Sequence, residues 1–142
     1  MRFMIIVKAT RDSEAGVMPN EEMLARMTRF HEELSQAGVL VDASGLQASA
    51  KGWRVEYRGK HASVVDGPFA ETKELIAGYT IIRVNSEADA REWTRRFPNP
   101  SLEGSDCYID VRRMFELDDL GPSDSVERFR ELLDDARSSS GA

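Results

Sequence analysis

The run Val64-Val65-Asp66-Gly67-Pro68-Phe69-Ala70-Glu71-Thr72-Lys73-Glu74 leads without a break into Leu75-Ile76-Ala77-Gly78-Tyr79-Thr80-Ile81-Ile82-Arg83-Val84. Its β-branched opening stops at Asp66-Gly67-Pro68, where glycine accepts φ > 0 and proline has no N–H to offer a strand ladder. A short polar connector follows, and then the longest β-type run in the chain begins. Two strands therefore frame the connector and hold its ends, which makes it the natural place for a site. The residue types in it do not name a chemistry.

Upstream, Trp53, Val55 and Tyr57 alternate with Arg54, Glu56 and Arg58, the period-two pattern of a half-buried strand. Gly59-Lys60 turns the chain, so that His61 to Asp66 returns as the second strand of a hairpin. Val39 to Leu46 is apolar but interrupted by Asp42, Ser44 and Gly45, and reads as a short edge strand. Phe3 to Val7 is apolar on both faces and belongs at the centre of a sheet. Arg11 to Gly16 reads as a polar loop. Asn20 caps a helix whose Glu21 and Glu22 suit the positive end of its dipole. Met23, Leu24, Met27, Phe30 and Leu34 share one face of that helix, and Gly38 stops it.

Downstream, Ser86 with Asp89 resembles a capping box at the start of a second helix, which carries Ala90, Trp93 and Phe97 as a stripe and ends at Pro98. Cys107, Ile109 and Val111 alternate with polar neighbours as a last strand. Asp118 to Asp124 is a turn-rich linker. A third helix starts at Asp124 with Val126, Phe129, Leu132 and Leu133 on one side, and Ser138 to Ala142 is expected to fray.

The order β-α-β-β-β-α-β-α predicts an α+β fold: a ferredoxin-like split β-α-β sheet with helices on one face and an extra C-terminal helix. The opposite sheet face then needs a cover that one C-terminal helix cannot provide. Packing two such sheets face to face in a homodimer meets that need.

A chain of 142 residues is one ordinary domain, and 41% hydrophobic with 31% charged residues fits a globular protein. The net charge of −6 argues against nucleic acid as a partner, because no basic excess is left to neutralise phosphates. Cys107 is the single cysteine, which removes disulfide frameworks and thiolate metal clusters within one chain. Phe3 to Val7 is too short for a signal-peptide core, and no apolar run approaches a membrane span of about 18 residues. A cytoplasmic protein with no membrane partner is the expectation.

The run Asp66 to Glu74, followed by Gly78-Tyr79, resembles the signature of the DGPF family within the YCII-related proteins. The opening strand Met1 to Lys8, Phe30-His31-Glu32-Glu33-Leu34, Ala37-Gly38-Val39-Leu40 and Val111-Arg112-Arg113 extend the likeness over residues 1–116. Residues 117–142 hold the linker, the C-terminal amphipathic helix and its tail. The resemblance implies a dimeric α+β barrel of ferredoxin-like subunits with a cleft between sheet and helices. Some relatives are encoded beside, or fused to, extracytoplasmic-function sigma factors, which implies an accessory or sensing role through a protein partner. The YciI branch carries a His in its first helix and an Asp near the end of its second. Those positions fall on or near Met27 and near Arg96 or Phe97 here, so the dyad does not carry over.

Each candidate has a plainer reading beside it. Asp66 at a strand end is a base or ligand acceptor, or else accepts N–H groups of the Gly67-Pro68 turn. Glu71, Lys73 and Glu74 form a cluster of mutually tuning charges, or else a solvated connector. His31 borders the buried helix face and is an acid or base, or else a hydrogen-bonded helix histidine. Tyr79 points into the cleft, or else sets its hydroxyl at a dimer rim. His61 is a solvated turn residue and Cys107 an inert strand thiol. No metal-ligand spacing, P-loop, nucleophile elbow or dinucleotide fingerprint occurs, so no metal and no cofactor is expected. The resulting expectation is a homodimer binding an unidentified small molecule near Asp66, Glu71, Lys73, Glu74 and Tyr79. Cofactor-independent acid/base chemistry would start from Asp66 and His31. The alternative is a non-catalytic accessory protein.

Overall fold

The computed structural model describes residues 1–70 and 72–141. Strands β1 (Arg2–Lys8), β2 (Leu40–Gly45), β5 (Ile76–Arg83) and β6 (Ile109–Arg113) form one antiparallel sheet in the order β2-β5-β1-β6. Helix α2 (Glu21–Gln36) connects β1 to β2 and α3 (Glu87–Arg95) connects β5 to β6, while β3 (Trp53–Arg58) and β4 (His61–Asp66) form a separate hairpin between β2 and β5. This is the expected split β-α-β topology, with the hairpin inserted between its second and third strands.

Local signals act where they were read. Asn20 Oδ1 accepts from the Met23 N–H at 2.9 Å, and Ser86 Oγ from the Asp89 N–H at 3.1 Å, so both long connecting helices begin on a side-chain cap. Gly38 takes φ 73° just past the end of α2, where the Gly38 and Val39 N–H groups close on the Ser35 and Leu34 carbonyls. Phe3, Ile5, Ile82 and Val84 on one sheet face pack with Phe30 and Leu34 of α2 and Ala90 of α3. Phe30 meets Trp93 and Phe97 edge to face at 6.3 and 5.3 Å, which seats both helices on that face.

Four expectations are corrected. Arg11 to Gly16 is not simply a loop: Arg11–Glu14 forms a single helical turn, α1, because Thr10 and Ser13 cap each other reciprocally. The last strand begins two residues later than its alternation suggested, leaving Cys107 exposed before it, with Sγ 3.0 Å from Asn99 Oδ1. Helix α4 (Asp124–Ser140) runs on through Ser138, its last turn tied by the Ser140 hydroxyl to the Arg137 carbonyl. The hairpin is not half-buried: Trp53 and Tyr57 are 66% and 77% exposed. Alternation marks which face of a ribbon is apolar, and among the described residues no element covers that face.

Met4, Ile6, Tyr79 and Ile81 point away from the core helices. On the same face, at the Arg2–Arg83 end, the chain runs through Glu116 to α4, and Arg2 donates to Glu116 at 2.9 Å while Arg130 of α4 donates to Asp118 at 2.7 Å. Among the described residues no helix is long and apolar enough to cross a membrane.

Candidate functional site

A groove of about 480 Å3 opens between α2 and the β2-β5-β1 end of the sheet. It exists because the sheet has no bulk there. In the β2–β5 register Gly45 stands opposite Gly78 and Ala43 opposite Thr80, and all four lie on the helix side. A Cβ on Gly78 would sit 2.9 Å from the Ser44 carbonyl oxygen, so close strand approach requires glycine there. A Cβ on Gly45 would meet only the Ala77 oxygen, at 4.0 Å. Helix α2 supplies the wall with Met23, Met27 and His31, four residues apart on one face, and Pro19, Phe97 and Pro100 close the rim.

His31 is the one ring in this wall that can carry a proton, and both its nitrogens are engaged. Nδ1 lies 2.7 Å from the Met27 carbonyl oxygen, and Nε2 lies 2.8 Å from Thr80 Oγ1. A carbonyl only accepts, so Nδ1 carries the hydrogen; Nε2 of the neutral ring then accepts from the Thr80 hydroxyl. Phe30 and Phe97 meet the ring edge to face at 5.8 and 6.3 Å, limiting its swing. Thr80 is 3% exposed and held on β5 between Ile5 and Ala43. A hydroxyl hydrogen-bonded to an imidazole, itself oriented by a third group, is the arrangement that moves protons on and off a bound molecule.

The connector packs elsewhere. Its Gly67 N–H donates to the Gly52 carbonyl at 3.0 Å and its Phe69 N–H to Ser49 Oγ at 3.0 Å; Glu14 in turn accepts from the Ser49 N–H at 3.0 Å. The Arg54 guanidinium stacks 4.2 Å over the Phe69 ring, and the Gly67–Pro68 peptide is cis. The acceptors in this turn are thus Gly52 and Ser49, and Asp66 stands exposed at the end of β4 opposite Trp53. Lys73 and Glu74 lie exposed in the short 3₁₀ turn Thr72–Glu74. Glu71 lies outside the described residues. Tyr79 borders the groove, but its hydroxyl donates to Asp42 Oδ2 at 3.1 Å, so this phenol is held by the edge strand.

Of the residues singled out in the sequence, His31 lines the groove and Tyr79 borders it with its side chain turned to the other sheet face, while Asp66, Lys73 and Glu74 do not line it. Thr80, Gly45, Met23 and Met27 were not singled out as site residues. The glycine inside the long β5 run was the one local hint, since such a glycine marks a close approach. Among the described residues no group of three His, Cys, Asp or Glu side chains is placed to hold a metal ion.

An antiparallel β2-β5-β1-β6 sheet with both connecting helices on one face, and a groove between the first long helix and the sheet, defines an α+β protein of split β-α-β type. The YCII-related domain family matches residues 1–114, and the chain belongs to that family. No curated protein is significantly similar to it. Met27 and Phe97 line the groove and Arg96 does not, and α4 lies beyond the matched residues.

Proposed function

We propose that this YCII-related protein binds a small metabolite in the groove between α2 and the sheet, and that His31, acting with Thr80, supplies cofactor-independent acid/base chemistry to it. The observation that carries the reading is the hydrogen-bonded His31–Thr80 pair beside a floor without side chains at Gly45 and Gly78. The volume falls within the range of ordinary small-molecule sites. Asp66 is the second candidate base, at the connector.

A thermal-shift screen of metabolites and divalent metals on the wild type, Gly45→Leu and Asp66→Asn tests this reading. A ligand at 100 times its Kd adds about 2.7 kcal/mol, several degrees for a domain of this size. We expect a shift that Gly45→Leu removes, because leucine fills the groove from an open position, and that Asp66→Asn keeps. A shift lost instead in Asp66→Asn, with the unliganded melting point unchanged, moves the site to the connector. No shift with any compound ends the small-molecule reading.

The chain works as a homodimer in this proposal. Trp53, Val55, Tyr57, Ala62 and Val64 share one face of the hairpin, and all are exposed. An isolated two-stranded ribbon is marginal in water, and a second copy offers the matching apolar face of its own sheet. A second reading, an accessory protein acting on a protein partner, is favoured by α4. This helix extends beyond the family match with Phe129 and Leu132 both exposed.

A further inference from the structure

We infer that the groove's ligand is an uncharged, mostly apolar molecule that presents one O–H or N–H donor to Thr80 Oγ1. This rests on the groove being the binding site and adds the chemical class of what it takes.

The first ground is charge. Among the described residues lining the groove there is no Asp, Glu, Lys or Arg. A phosphate or carboxylate entering it would lose hydration with no counter-ion to replace it, which is the costliest burial a small molecule can make. The N-terminus of α2 offers no rescue. Its Met23 N–H is already taken by Asn20, and Glu21 and Glu22 occupy the first turn. What lines most of the space instead is Met23, Leu24, Met27, Pro19 and Phe97, with Thr28 and Ser44 as neutral hydroxyl residues beside them, and the Gly45–Gly78 floor lets a flat ring lie against backbone. Methionine sulfur packs well at aromatic edges.

The second ground is the hydrogen inventory. Nδ1–H of His31 is spent on the Met27 carbonyl, and the Thr80 hydrogen is spent on Nε2. What this pair has left to offer is a lone pair on Thr80 Oγ1, an acceptor, so the complementary group on the ligand is a donor. A donor completes a chain from ligand O–H to Thr80 to His31 to the Met27 carbonyl, in which each bond polarises the next. The same chain gives a balanced proton route. As the ligand's proton passes to Thr80 Oγ1, the threonine's own proton passes to Nε2. The imidazolium formed still donates to Met27 and to Thr80, so neither nitrogen is orphaned.

Three probes of one skeleton separate the possibilities by calorimetric titration of the full chain: naphthol, methoxynaphthalene and naphthyl phosphate. We expect naphthol to bind and the donorless ether to bind about tenfold more weakly, the effect of one neutral hydrogen bond. The phosphate ester should be weaker still, and Thr80→Val should erase the preference of naphthol over its ether. Equal affinity of naphthol and ether on the wild type overturns the donor requirement without recourse to any variant. Tighter binding of the phosphate ester overturns the neutral class. If Gly45→Leu abolishes that phosphate binding, the groove stands and only its ligand class is wrong. If naphthol binding survives Gly45→Leu, the groove itself is wrong. No binding of naphthol up to its solubility overturns the inference, while the metabolite screen still judges the groove.

Discussion

Gly67 and Thr80 carry unequal amounts of structure for their size. A Cβ on Gly67 would lie 1.9 Å from the Ser49 carbonyl oxygen, a distance no side chain tolerates, and the partner is backbone that has nowhere to go. Gly67→Ala must therefore push the connector off the Ser49–Lys51 turn and break the Gly67–Gly52 and Phe69–Ser49 hydrogen bonds. At about 1 kcal/mol for each lost bond, plus the displaced packing of Phe69, the loss is about 2–3 kcal/mol. It should appear as a lower urea midpoint with an unchanged slope, and an unchanged midpoint would show that the connector is not clamped. Thr80 matters differently. Its hydroxyl meets His31 Nε2 while Nδ1 faces the Met27 carbonyl, and together these leave the neutral His31 a defined tautomer.

At the scale of elements, one of the ties that hold the segment before α4 is a carboxylate, Glu116. The Arg2 guanidinium, hydrogen-bonded to Glu116, holds its carboxyl below the usual carboxylate range. Because the folded value is lowered, the stabilisation is complete above the unfolded value of about 4.3 and is lost as pH falls through the lowered one. The pair is well exposed on the Glu116 side, so its contribution stays under about 1 kcal/mol. Replacing Arg2 by Met should flatten the acid limb of the stability-against-pH curve and leave the curve near pH 7 shifted by no more than that. An acid limb of identical shape in Arg2→Met would show that Glu116 does not report this contact. The hairpin shows the opposite economy: Arg54, Glu56, Arg58, His61 and Ser63 share one side with Val65, where the Phe69 ring stacks on Arg54, while the side that carries Trp53 and Tyr57 stays exposed.

For the whole molecule, that uncovered ribbon and the apolar face of the sheet are the two surfaces a second copy would share. A stable pair needs about 800 Å2 from each partner. Sedimentation should give a dimer for the wild type and a shift toward monomer for the double substitution Trp53→Ser, Tyr57→Ser. Dilution should red-shift the emission of Trp53, while Trp93, partly buried against the core beside Phe30, stays constant. Truncation after Gly121 then separates the roles of α4. A dimer that persists leaves the helix free for a protein partner, whereas a dimer that dissociates gives it a capping role between copies. A monomeric wild type at all concentrations would end the assembly proposed here.

What could be read from residues alone was local or periodic. Asn20 and Ser86 as caps, Gly38 as a stop, Gly59-Lys60 as a turn and the strand-helix order all depend on neighbours within a few positions, where propensity and hydrogen-bonding geometry act without help from the rest of the chain. From those the α+β class and the split β-α-β topology followed. Asp66 drew attention for the same local reason, because its strand end and turn are conspicuous in sequence. The groove was hidden because it is made by register. His31 and Thr80 are 49 residues apart and meet only when α2 lies across β5, and Gly45 faces Gly78 only in one strand pairing; a slip of one residue would turn Tyr79 inward and Thr80 outward. Sequence by itself determined which elements form and in what order, since those are settled within a turn or a strand. Tertiary structure alone decided where the chemistry sits, since distant side chains acquire a common site only when packing sets the face each one shows.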